Sequence, residues 1–140
     1  VSARATLLDT NVLSELLRPE GDATVKAFVR TLDNPVVSSI VFHELAYGVE
    51  MMPAGTKRAR VSAGIEMVRN RYRNRTVFVD IEVAEIAGRL RAGEARSGFM
   101  LDAPDALIAA TAMTLPARLA TRNIRHFQRL SIELVNPWAP

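Results

Sequence analysis

At 140 residues, 49% of them hydrophobic, the chain is long enough to bury one core and too apolar to be disordered. It has no cysteine, which excludes a disulfide framework and a thiolate metal site, and its two histidines, His43 and His126, argue against a dedicated His-rich zinc site. The formal net charge of +3 is a mild bias toward polyanionic partners.

The first residues, Val1 to Thr6, lead into an apolar run that stops at Asp9, which reads as neither a signal peptide nor a membrane span. No later run is long enough to cross a bilayer, so a cytoplasmic protein with no membrane partner is the expectation. Thr6 to Leu8 reads as a buried strand. Asp9-Thr10-Asn11 offers caps for a short helix over Val12 to Leu17, stopped by Pro19 and Gly21. A second helix is predicted over Ala23 to Leu32, a strand over Val36 to Ser38, and a helix over 41–52. Thr56 to Arg73 reads as a long basic helix and Thr76 to Val79 as a strand. Asp80 is the expected cap of a helix from Glu82 to about Ser97, ended by Gly98. Arg118 to Thr121 and Ile132 to Leu134 complete the strands, with 122–125 a loop between them. Strands alternating with helices, without repeat or linker, predict one α/β domain over residues 1–140: an α/β/α sandwich with a central, mostly parallel sheet.

The stretch 99–113 is the most informative. Asp102 reads as a helix N-cap and Pro104 sits in the first turn. From Ala106 to Met113 only Thr111 is polar, so this helix is buried. Asp105 lies at its mouth, where it serves either the positive end of the helix dipole or a site. Glu44 is a second anomaly. It falls on the apolar stripe of its helix, Val41, Leu45, Gly48, Val49 and Met52, beside a glycine that leaves room; conflicts of this kind mark functional sites. His43 points off that stripe, toward the surface.

Between Lys57 and Arg75 lie Arg58, Arg60, Arg69, Arg71 and Arg73, with Glu66 the only acid. This segment is either a solvated helix face or a phosphate-attracting rim. Tyr72 is the only aromatic within it, which is too little to indicate base stacking.

In parallel sheets, ligands gather beyond the carboxyl ends of the strands. Asp9 and Thr121 fall at such ends, and Glu44 and Asp105 in the first turns of helices leaving the same edge. Three carboxylates on one rim repel one another unless a hard dication neutralises them. Oxygen donors suit Mg²⁺ or Mn²⁺. The chemistry this points to is metal-assisted phosphodiester hydrolysis. With no Walker-type loop and no GxGxxG, a nucleotide cofactor is not indicated.

Four segments together carry a resemblance: LLDTNVLSEL (7–16), SSIVFHELAYGV (38–49), DALIAATA (105–112) and LATRNIRHF (119–127). In this order they resemble the successive motifs of PIN-domain ribonuclease toxins of the VapC and FitB type. The resemblance implies a PIN-like fold and a Mg²⁺- or Mn²⁺-dependent endoribonuclease acting on RNA, the toxin of a type II toxin–antitoxin system. It also implies a VapB- or FitA-like antitoxin and a homodimer. By the same resemblance Asp9, Glu44 and Asp105 are the catalytic and metal-binding residues, and Thr121 the hydroxyl beside the site. Relatives carry a further acid where this chain has Asn123 or His126. The site thus holds less negative charge, which argues against a fully occupied second metal position. Asn123 still offers an oxygen, and Asp102 is an acid that could compensate, although capping is its expected work. The missing acid leaves an alternative: a catalytically weak PIN domain that acts as a protein- or nucleic-acid-binding module.

Overall fold

The structure, a computed structural model, describes residues 4–140; residues 1–3, the start of the expected N-terminal segment, lie outside the described residues. The first strand, β1 (Ala5–Leu8), leads into α1 (Thr10–Leu17) and α2 (Ala23–Arg30). Then come β2 (Pro35–Ser38), α3 (Ile40–Glu50), α4 (Thr56–Arg71), a 3-10 turn at Arg73–Arg75, and β3 (Thr76–Val77). The C-terminal half contains α5 (Ile81–Arg96), α6 (Ala103–Thr114), β4 (Ala117–Ala120), α7 (Ile124–Phe127) and β5 (Leu134–Val135).

Among the described residues five strands form one sheet in the order β3-β2-β1-β4-β5, with every pairing parallel. Consecutive strand residues point to opposite faces, yet Leu7 and Leu8 are both fully buried. Helices therefore cover both faces, as the apolar runs of β1 and β2 predict. Helix α6 is buried along most of its length, including Ala106, Ile108, Ala109 and Ala110. Thr111, its one polar residue between Ala106 and Met113, is accommodated by donating its hydroxyl to the Leu107 carbonyl at 2.7 Å. The alanines let α5 approach closely, and Val83, Ala87, Leu101, Ala106 and Ala110 make a smaller core between the two helices. Truncating Ile108 to alanine in the main core would cost about 2–5 kcal/mol.

Several predicted boundaries shift for identifiable reasons. Helix α1 begins at Thr10 because Asp9 accepts its N–H at 2.7 Å. Strand β3 stops at Val77 because β2, the strand beside it, has ended at Ser38; the Ser39 hydroxyl then takes the Val79 N–H at 3.1 Å. The last strand starts at Leu134 rather than Ile132, since β4 sets its register by pairing Leu119 with Leu134. The predicted loop 122–125 overlaps the short helix α7, whose four residues are too few for a periodic signal.

Tyr72 is buried in the main core and cannot stack on a base. The basic segment is largely a solvated face. Arg58 pairs with Glu50 at 2.7 Å, Arg69 pairs with Glu66, and Arg73 bonds Asn70 at 2.8 Å.

Candidate active site

The sheet order places β1 between β2 and β4, where the chain's crossovers change direction. Ligands bind at such a point, beyond the carboxyl ends of the strands. The register pairs Leu8 with Ala120, so one residue further on Asp9 and Thr121 stand side by side. Both are buried, and the Thr121 hydroxyl donates to Asp9 Oδ2 at 2.7 Å. The Asn11 amide donates to the same oxygen at 3.2 Å. Asp9 is thereby held rigidly, with its other oxygen on the Thr10 N–H.

Glu44 is the fifth residue of α3, one residue further in than expected because the helix starts at Ile40 rather than at 41, and is half-buried. The Thr10 hydroxyl donates to Glu44 Oε1 at 2.5 Å, tying α3 to the start of α1. Gly48 is not needed to make room, because a Cβ there would meet no atom within 4 Å. His43 is exposed, as its place off the stripe predicts. Asp105 lies in the first turn of α6, and His126 Nδ1 is hydrogen-bonded to its Oδ2 at 2.9 Å. Asp102 caps α6 by accepting the Asp105 N–H at 2.9 Å.

Asp9, Glu44 and Asp105 line one open cavity of about 420 Å³, together with Thr10, Asn11 and Asn123. Burial raises the pKa of all three carboxyls, and neighbouring acids add to it. Glu44 feels Asp9 and Asp102, and Asp105 is pushed up to about 6 by burial and then by the charges of Asp102 and Asp9. Asp102, though outside the cavity lining, thus contributes to its field. This is the electrostatic state of an acid cluster short of positive charge.

The donors are carboxylate, amide and hydroxyl oxygens, a set that fits a hard cation. Among the described residues no three Asp, Glu or His side chains enclose an ion directly. Mg²⁺ does not require that, since it keeps several waters and uses one or two carboxylates. Asp9 and Asp105 are the carboxylates that could hold it.

Besides Thr10, Asn11, Ser14 and Glu15, three further residues at this cavity escape the sequence reading. Arg18 ends α1 and lines the cavity, although it also lies 3.5 Å from Glu15 and from Glu20. Arg122 follows Thr121, and its N–H is held by Asn11 Oδ1 at 3.2 Å. Trp138 closes one side, with the Arg122 guanidinium 4.9 Å from its ring centroid. These cations lie at the site, whereas none of the α4 arginines lines it. The available signal was a lone tryptophan after Asn136-Pro137, a stretch that reads as the mere end of regular structure.

A PIN-domain family model matches residues 6–133, and the chain belongs to that family. Its likeness within the family is to the VapC and FitB toxins. The VapC ribonuclease Y4jK of Sinorhizobium fredii is 32% identical over 137 residues, spanning 96% of this chain and 98% of its own length. The toxin FitB of Neisseria gonorrhoeae is 33% identical over 135 residues, spanning 94% and 97%. Among solved structures, FitAB bound to an IR36 DNA fragment matches with a TM-score of 0.85 at 31% identity, over 96% of each chain. No helix among the described residues is long and apolar enough to cross a membrane.

Proposed function

We propose that the chain is a Mg²⁺- or Mn²⁺-dependent endoribonuclease, the toxin half of a toxin–antitoxin pair. The observation that carries this reading is the convergence of Asp9, Glu44 and Asp105, from three distant segments, on one cavity where each carboxyl is raised by burial. The relatives' names as ribonucleases and toxins support RNA as the substrate. The solved toxin–antitoxin complexes support a VapB- or FitA-like antitoxin as the partner. A homodimer is part of the proposal, and a monomer by light scattering at micromolar concentration would remove that part alone.

Asp9 and Asp105 would hold the dication, which would supply the positive charge that offsets the acids and favours in-line attack on a phosphate. Thr121 and Asn11 keep Asp9 in place for that task. Glu44, oriented by Thr10, accepts the proton of the attacking water; its raised pKa makes it a better base. The water oxygen bonds to phosphorus, the bond to the leaving ribose oxygen breaks, and that oxygen takes up a proton. Arg18 and Arg122 draw the phosphodiester to the otherwise negative cavity.

Cleavage of a structured RNA panel by wild type, Asp9→Asn, Glu44→Gln and Asp105→Asn tests the proposal. Each variant should lose about 10²-fold or more in rate while remaining folded. Wild-type rates from Glu44→Gln would refute its role as base. One observation favours a second reading. The His126 imidazole occupies Asp105 Oδ2, which leaves that carboxylate less free for an ion. On this reading the domain binds protein or nucleic acid, and wild type cleaves no faster than Glu44→Gln.

A further inference from the structure

Resting on the reading that RNA is the substrate, we propose that Arg122 and Trp138 form a stacking platform for one nucleobase beside the scissile phosphate of a single-stranded RNA. The two residues meet at the mouth of the acid cavity, with the guanidinium carbon 4.9 Å from the indole centroid. Trp138 is the chain's only tryptophan, and it packs on the main core while still lining the cavity. Its N–H is held by Asn136 Oδ1 at 3.0 Å, and Arg122 is held through its N–H by Asn11. Both halves of the pair are thus anchored at the backbone, which lowers the entropy lost when a base settles on them.

Arg122 also stands between two recesses. On one side is the cavity of Asp9, Glu44 and Asp105; on the other is a recess of about 340 Å³ lined by Arg125, His126 and Asn136. Asn123 borders both. A phosphodiester drawn to the acids therefore leaves its neighbouring nucleotide at the guanidinium plane. Single-stranded RNA is recognised by bases splayed onto aromatic rings or Arg planes, with edges read by nearby polar groups. The Asn123 and Asn136 carboxamides are the polar groups available for that readout. A tryptophan serving only to anchor the C-terminal segment would not need a guanidinium over it at the cavity mouth.

The test uses the full chain carrying Glu44→Gln, in Mg²⁺, so that bound RNA is not cut. The probes are a mixed-sequence single-stranded oligoribonucleotide and an abasic ribose-phosphate oligomer of the same length. Trp138 fluorescence reads the platform directly. The RNA should quench it and bind about tenfold more tightly than the abasic oligomer. Adding Arg122→Lys keeps the charge and removes the plane. It should shrink that advantage to about twofold or less, because affinity for the RNA falls further than affinity for the abasic oligomer. Trp138→Phe should preserve most of the advantage and Trp138→Leu abolish it. Because Trp138 also packs on the core, the Arg122→Lys arm decides if Trp138→Leu melts early. In the otherwise wild-type enzyme, Arg122→Lys should raise KM more than it lowers kcat and flatten the base preference next to the cut. Equal quenching and affinity for both probes, or an RNA advantage untouched by Arg122→Lys, would overturn the proposal. Base-dependent binding in a wild-type protein that cuts no RNA would uphold the platform and sink the nuclease reading. RNA cleavage without base-dependent binding would sink the platform alone.

Discussion

Neutralising Asp105 should stabilise the metal-free protein. Its carboxyl, with a side chain 15% exposed, is raised from 3.8 to about 6 by burial and by the charges of Asp102 and Asp9. A shift of about two units corresponds to about 3 kcal/mol of penalty on the ionised form. The folded protein binds this proton more tightly than the unfolded chain does. The Asp105 contribution to stability is therefore most favourable below about pH 4, falls as pH rises toward about 6, and carries the full penalty above that. Asparagine has no such penalty but gives up the charged half of the bond to His126, which offsets about 1 kcal/mol. The net gain for Asp105→Asn at about pH 7.5 is then about 2 kcal/mol, or roughly 6 °C in Tm for a domain of this size. Thermal melts in EDTA at about pH 7.5 and about pH 4 measure it, with the offset closing at the lower pH. Saturating Mg²⁺ should raise the Tm of wild type and leave the variant nearly unchanged. A variant that melts at or below wild type at the higher pH, or an offset that ignores pH, would refute the account of Asp105 as a strained, cation-seeking carboxylate.

Calorimetry of Asp9→Asn should show Mg²⁺ and Mn²⁺ affinity reduced at least about tenfold, since a neutral amide attracts a dication far less than a carboxylate. Equal affinities would remove Asp9 from the metal site. Asp102→Asn should melt within about 0.5 kcal/mol of wild type and still cleave RNA, whereas Asp102→Ala should lose about 1 kcal/mol through its missing cap. Loss of cleavage in Asp102→Asn would make Asp102 more than a cap.

The features legible in the chain before folding are local ones. Asp9, Asp80 and Asp102 announce helix starts because a carboxylate meets free N–H groups within three residues of itself, and all three accept such bonds. The near-absence of polar residues from Ala106 to Met113 fixes α6 as buried, and the alternation of strands and helices fixes a parallel sheet. Glu44 and Asp105 were legible as anomalies, acids placed where apolar residues prevail. Which distant residues meet depends on how the chain folds. Asp9 reaches Thr121, 112 positions away, because a parallel register sets Leu8 against Ala120. His126 bonds Asp105, and Trp138 returns to the cavity mouth under Arg122. Such meetings leave no periodic trace, because they depend on how strands order and crossovers turn. The same holds for charge: the conspicuous basic helix faces solvent, while two isolated arginines, Arg18 and Arg122, are carried to the acids by the ends of α1 and β4.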